Sequence, residues 1–431
     1  MRSVKDCEEY LLNIPKFKKK TLLSDTKKFY KLLGSPGKDI PKIHVAGTNG
    51  KGSTCFYTSR ILKEHGIKTG LFTSPHLVSM KERFVLDGEE ITDNEFVTVF
   101  EKVLDKCRFV DEEEKALMHP SFFEFLFFMF MEWMSMRKAD AMVLETGLGG
   151  MLDATNIFDA PKVTAICSVG MDHMEQLGNT LEEIASQKAG IIKKNVPLVY
   201  LNNEDSVNNV IKEAADKKNA PVYMVSDENI SCVSSDEKHV AFSFDYVYDK
   251  IDFVHNLSVE LPTCALYQRY NSSMALVISK LFLKDGFDED KALKALLESS
   301  FKGRFEEIKK GIYVDGAHNP DALSRMLETL KLKDERRVLI FGACRDKDYE
   351  CMLEMICGSK LFEEIVLTKI DSPRAVDPET MSECVKKYRN IQTAGSFKEA
   401  IAKALDCGCK IYIAGSLYLV GEAVYYFDVC S

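Results

Sequence analysis

Thirteen cysteines are spread through the 431 residues without one C-x-x-C pair, the nearest two being Cys407 and Cys409. That spacing excludes a zinc ribbon or a dithiol redox motif, and scattered free thiols fit a reducing cytoplasm. Long apolar runs are missing too. The most apolar stretch, residues 121–136, stops short of the ~20 residues of a membrane span and contains Glu124 and Glu132, so it reads as a buried helix. The opening MRSVKDCEEYLLNIPKF has no charged-then-apolar-then-small pattern and is not expected to be a signal peptide. Positive charge is in deficit. Lys and Arg number 57 against 66 Asp and Glu, a net charge of −9, which argues against a nucleic-acid-binding surface. Small anionic ligands must then be held by local groups. Neither a short-period repeat nor a low-complexity tract is present.

What is present predicts a two-domain α/β enzyme. The length exceeds what one hydrophobic core usually serves, and 45% apolar with 29% charged residues is the balance of a soluble globular enzyme. The organising stretch is IHVAGTNGKGST, residues 43–54. Strand character runs into Gly47, Thr48, Asn49, Gly50, Lys51, Gly52, Ser53 and Thr54, and a helical pattern begins at Cys55. The glycines let backbone N–H groups face inward around a polyphosphate at a helix N-terminus. Lys51 would meet the outer phosphates, and Ser53 would offer a hydroxyl to Mg²⁺. The motif departs from G-x-x-x-x-G-K-[ST] by a glycine inserted after the lysine.

The first domain is expected to span residues 1–298. Short amphipathic helices in its first forty residues cover it, and further strands are expected at 68–72, 140–145, 163–169 and 197–201, with helices at 55–65 and 181–192. Residues 230–261 alternate apolar and polar side chains and predict antiparallel hairpins, making a small antiparallel β segment beside a mainly parallel sheet. Helices at about 267–282 and 288–297 close the domain. Over 299–431 a strand-then-helix rhythm restarts with five strand candidates, GIYVD, RRVLIFG, EEIVLTK, RNIQTAG and KIYIAGS. It predicts a Rossmann-like, doubly wound C-terminal domain whose polar strand exits, at 315–320, 345–348 and 415–416, hold a ligand against the first domain.

Single residues carry less on their own. Glu145 closes an apolar strand, where a carboxylate serves the next turn as a cap or binds a metal; beside a phosphate loop the metal is the stronger reading. His173 follows Asp172 at the next strand exit and reads equally as a structural histidine or a site residue. Lys188 shares a helical stretch with Lys193 and Lys194, which read as solvated, and periodicity alone makes it a surface or salt-bridged lysine. Arg304 and His318 are each one polar residue in a turn.

Taken together, HVAGTNGKGST (44–54), TSPHL (73–77), ERFVLDGEEIT (82–92), LETGLGGMLDATN (144–156), VGMDHMEQLGNTLEEIASQKAGI (169–191), GRFE (303–306), DGAHNP (315–320) and AGSLYLVGE (414–422) resemble the folylpolyglutamate synthase family, including its bifunctional dihydrofolate synthases, in the Mur-ligase superfamily. The motifs run in the family's order over nearly the full chain. The resemblance implies ATP-dependent ligation of L-glutamate to the γ-carboxylate of a folate, or to dihydropteroate, through an acyl phosphate. It implies Mg²⁺ and a monovalent cation such as K⁺, and a cytoplasmic monomer with no nucleic-acid or membrane partner. Carried over by position, residues 47–54 hold the phosphates, Ser53 and Glu145 hold one Mg²⁺, and Glu145 with His173 hold a second. Lys188 matches the family's carbamylated lysine and, with Lys51 and His173, its catalytic set. Asn271 falls near the adenine or ribose, and Arg304 and Asp315 supply nucleotide contacts from the second domain. His318 and Ser416 fall near the incoming glutamate, and Ser74, Pro75 and His76 border the pterin. Met151 stands where the family usually has arginine, Thr146 where valine is common and Lys302 where proline is common. The other readings are a Mur-type ligase acting on a cell-wall precursor and a nucleotide-binding module without catalysis.

Overall fold

The computed structural model describes residues 2–14, 22–108, 119–248 and 251–430. Among these, the strands form three sheets. The first sheet grows around β1 (Lys42–Ala46), which is buried at every position because helices cover both of its faces. Its other members are β2 (Thr69–Phe72), β3 (Phe84–Leu86), β4 (Glu89–Glu90), β5 (Ala141–Glu145), β6 (Val163–Ile166), β7 (Leu198–Leu201) and β8 (Val222–Val225), in the order β4-β3-β2-β5-β1-β6-β7-β8. All pairings are parallel except the β2–β3–β4 edge. β2, β5, β1 and β6 therefore end on one side, where loops meet in a crevice.

The apolar stretch predicted as a buried helix is one. Phe122–Arg137 starts from a Ser121–Glu124 capping box, and Phe125 through Met131 are fully buried against Phe96, Phe100 and the N-terminal helices. The opposite face carries the helices Lys51–Glu64, Gln268–Leu283 and Glu289–Leu297 under an antiparallel sheet of β9 (Ile230–Ser235), β10 (Val240–Tyr248) and β11 (Ile251–Leu261). That sheet matches the hairpins expected over 230–261, of which residues 249–250 lie outside the described residues.

The second half is a six-stranded sheet, β12 (Arg304–Lys309), β13 (Ile312–Asp315), β14 (Arg337–Phe341), β15 (Glu364–Thr368), β16 (Ile391–Ala394) and β17 (Lys410–Ala414), in the order β12-β13-β17-β14-β15-β16. The five expected strands are the parallel ones. The sixth, β12, pairs antiparallel at the edge, and its RFEEIK sequence exposes the charge that edge strands carry. The short β3, β4 and β8 also escaped the pattern. One core of this half is completed by Cys264 and Ala265, which belong to the segment leading into the helix Gln268–Leu283.

Candidate active site

The phosphate loop lies between β1 and the helix Lys51–Glu64, which begins four residues earlier than its apolar pattern indicates. Gly50 at the N-cap takes φ 83°, a left-handed turn that costs glycine nothing, and the helix starts directly beyond it. Lys51 Nζ donates to the carbonyls of Gly47 (3.0 Å) and Thr48 (3.1 Å). Lys188 Nζ donates to the same Gly47 carbonyl at 2.8 Å. The surface position that periodicity gives Lys188 is therefore wrong: it is only 2% exposed. Burial, then the charge of Lys51, brings its amine down to about 7. Lys194 is exposed as expected, but Lys193 is half-buried and burial lowers its amine as well. Thr54 turns away from the loop's inner side; it is fully buried and accepts a hydrogen bond from Cys167 Sγ at 3.4 Å.

Glu145, at the end of β5, is buried beside the loop and accepts a hydrogen bond from the Ser74 N–H at 2.9 Å. Burial raises its carboxyl pKa, against the pull of Lys51, the Ser74 amide, Arg304 and Arg83. Ser53 is buried within reach of Gln268 Nε2, 3.4 Å away. His173 holds a left-handed backbone (φ 53°, ψ 42°), uncommon for a residue with a side chain and a mark of a constrained site. Burial keeps its imidazole neutral, with a pKa near 4 despite the adjacent Asp172. Asp172 itself is the reverse case. Burial would raise its carboxyl, but the hydrogen bond from His318 and the charges of Lys347 and His173 hold it far below the usual range.

From the second half, Arg304 and Asp315 face each other across β12 and β13. Asp315 accepts hydrogen bonds from Tyr267 Oη (2.6 Å) and the Ala317 N–H (2.8 Å). His318 Nδ1 is 2.7 Å from the Gly316 carbonyl, and Ser416 Oγ accepts from the Tyr418 N–H at 3.2 Å just inside the last helix, Leu417–Cys430. At the other end, the 74–77 segment enters through a cis Ser74–Pro75 bond, and His76 Nδ1 accepts from Arg83 Nε at 2.8 Å. Glu82 receives the N–H groups of Leu77, Val78 and Ser79 at 2.6–2.8 Å. Leu77 then packs into the second half, where a Cβ on Gly421 would overlap its carbonyl oxygen.

One cavity of about 850 Å³ joins these groups. Residues 47–53 and Glu145, His173, Lys188, Asn271, Arg304, Asp315, His318, Ser416, Ser74, Pro75 and His76 all line it; of the sequence-predicted residues only Thr54 does not. Arg83, Asp153, Tyr267 and Arg374 line it too and were not singled out. Arg83 lies in ERFVLDGEEIT and Asp153 in LETGLGGMLDATN, so both carry a signal in sequence. Tyr267 reads as core, and nothing in sequence marks Arg374 as facing a cavity.

A phosphate loop on one α/β half facing a doubly wound second half across a shared cavity defines a Mur-type ligase. Residues 126–279 match the Mur ligase middle domain and residues 303–416 the Mur ligase glutamate ligase domain. The dihydrofolate synthase/folylpolyglutamate synthase of Bacillus subtilis is 32% identical over 86% of each chain, and the folylpolyglutamate synthase of Lacticaseibacillus casei is 31% identical over 90% of each. The Mycobacterium tuberculosis folylpolyglutamate synthase complexed with ADP and AMPPCP superposes with a TM-score of 0.87 at 26% identity over 98% of both chains. That of Thermotoga maritima gives 0.83 at 30% identity over 99% of this chain and 97% of its own. The chain belongs to the folylpolyglutamate synthase/dihydrofolate synthase family and is an ATP-dependent ligase. Among the described residues no helix is long and apolar enough to cross a membrane.

Proposed function

We propose that the chain adds L-glutamate to the γ-carboxylate of folates in two steps. A carboxylate oxygen of the folate attacks the terminal phosphorus of ATP, the bond to ADP breaks, and an acyl phosphate forms. The glutamate amine, having lost a proton, then attacks the acyl carbon and expels phosphate. The observation that carries this reading is the single cavity that runs from the phosphate loop to the Ser74–His76 segment and to His318 and Ser416 on the second half. A family complex holding AMPPCP together with folate, 25% identical over the full length of both chains with a TM-score of 0.85, supports it.

Residues 47–53 and Lys51 bind and align the phosphates, Asn271, Arg304 and Asp315 take the nucleoside, and Ser74, Pro75 and His76 border the pterin. The donor set fits Mg²⁺. Ser53 and Glu145 offer oxygen, Glu145 is a desolvated carboxylate that a cation would relieve, and His173 is a neutral nitrogen. No group of three His, Cys, Asp or Glu among the described residues could hold a metal ion alone, as is usual where phosphate oxygens supply most ligands. When bound, Mg²⁺ neutralises charge on the transferring phosphoryl group. Lys188 as a carbamate, a monovalent cation such as K⁺, a cytoplasmic monomer and a division into domains 1–298 and 299–431 complete the proposal. ATP, labelled glutamate and a panel of reduced folates plus dihydropteroate test it. Label transfer to folates is expected, and its absence from every acceptor, with ATP intact, overturns the reading. A cell-wall precursor accepted in their place would favour the other Mur-type activity, and no turnover at all a binding module.

A further inference from the structure

The phosphate loop is gripped by the other half of the molecule. Asn49 and Asn319 pair amide to amide: Asn49 Nδ2 donates to Asn319 Oδ1 at 3.2 Å, and Asn319 Nδ2 donates to Asn49 Oδ1 at 3.0 Å. Asn49 Nδ2 also reaches Asp321 Oδ2 at 2.7 Å, and Asn319 Nδ2 reaches Asp172 Oδ2 at 3.1 Å. Asp172 in turn receives Lys347 Nζ at 2.6 Å, in an ion pair with both side chains 90% or more buried. Asn49 and Asp172 belong to the first half; Asn319, Asp321 and Lys347 belong to the second. Asn319 is also the N-cap of the helix Pro320–Lys331, its Oδ1 accepting from the Ala322 N–H at 2.9 Å.

We propose that Asn319 and Lys347 are positioning residues that brace the phosphate loop when the halves are closed, so that nucleotide binding and closure favour one another. The proposal rests on the ligase reading above. Asn49 lies between Thr48 and Gly50 in the loop itself, so the amide pair fixes the backbone that surrounds the phosphates. A ligand that binds better when the loop is braced must shift the halves toward closure by the same factor that closure improves its binding. The Asp172–Lys347 pair sets the sign of any loss. Removing one partner of a buried ion pair ordinarily strands a charge. Here the second half itself covers Asp172, so opening returns the carboxylate to water. The cost is then paid as opening, not as unfolding.

Three variants test this: Asn319→Asp, Lys347→Met and Lys347→Arg. Asp at 319 keeps the helix cap but loses the amide donor and sets a carboxylate against Asp172 and Asp321. For each protein kcat, KM for ATP, AMPPCP affinity, solution scattering and melting temperature are measured. Asn319→Asp and Lys347→Met are expected to lower kcat and to cost about tenfold or more in nucleotide affinity, within the usual range of coupling between sites. Both should expand the ligand-free and AMPPCP-bound scattering profiles, with melting close to wild type. Lys347→Arg should recover most of the turnover. Wild-type kcat in Asn319→Asp, or lost turnover with an unexpanded profile, overturns the proposal. If Lys347→Met fails to fold, Asn319→Asp decides alone. A wild type that ligates no glutamate while the variants still open and bind AMPPCP weakly overturns the ligase reading and leaves the brace standing.

Discussion

Lys188 is a buried cation beside a second cation, Lys51, and both amines share the Gly47 carbonyl. With its pKa near 7 the folded protein drops the proton at a pH where the unfolded chain keeps it. Stability from this group therefore grows as pH rises from about 7 toward the ordinary lysine value of about 10.4, and is absent below 7. A neutral amine is also the form that attacks CO₂. With bicarbonate present, ligation should climb between about pH 6 and pH 8 as the amine deprotonates. A flat profile there would detach Lys188 from the pH response. Lys188→Ala should be nearly inactive and partly rescued by small carboxylic acids. Lys51→Ala should cost about 10²-fold in turnover, the scale of one lost electrostatic stabiliser, read by steady-state assay on a folded variant. Glu145→Gln should keep the fold and shift the Mg²⁺ titration to higher concentration; superimposable titrations would remove Glu145 from the metal. Sequence made Lys51, Ser53 and Glu145 legible because a strand, a loop and a strand end announce them. Lys188 was legible only through resemblance, since a helical lysine carries no local sign of what will be packed over it.

Among the elements, the segment Ser74–Ser79 and the last helix meet closely at Leu77 and Gly421. Glu82 and Glu145 tie down the segment's N–H groups, and Gly421 gives it room. Gly421→Ala should strengthen the helix by about 0.5–1 kcal/mol in propensity while wedging Leu77 away. The expected result is a folded protein with turnover reduced about tenfold, the scale on which a small displacement at a distance is felt. Unchanged turnover would show that the segment tolerates the displacement. The helix Phe122–Arg137 and the β10–β11 hairpin were legible from apolar density and alternation. β12 was not, because an edge strand of alternating charge imitates a loop.

At the scale of the molecule, the cavity has walls from both halves, so an acyl phosphate formed there would be shielded only while they are together. ATP plus folate should compact the protein in solution scattering; identical profiles with and without ligands would mean the halves are already fixed. The mainly parallel first half and the doubly wound second half could be read from strand rhythm, whereas the polar contacts across them, Asn49 to Asn319 and Asp172 to Lys347, join residues too far apart in the chain for any local pattern to connect. The second half also depends on the first for Cys264 and Ala265, which fill its core. Cut after the exposed Ser300, the chain would give two pieces with matching apolar faces. Produced separately, each should aggregate; produced together, they should assemble into an active enzyme of two subunits, with the severed joint serving as their interface.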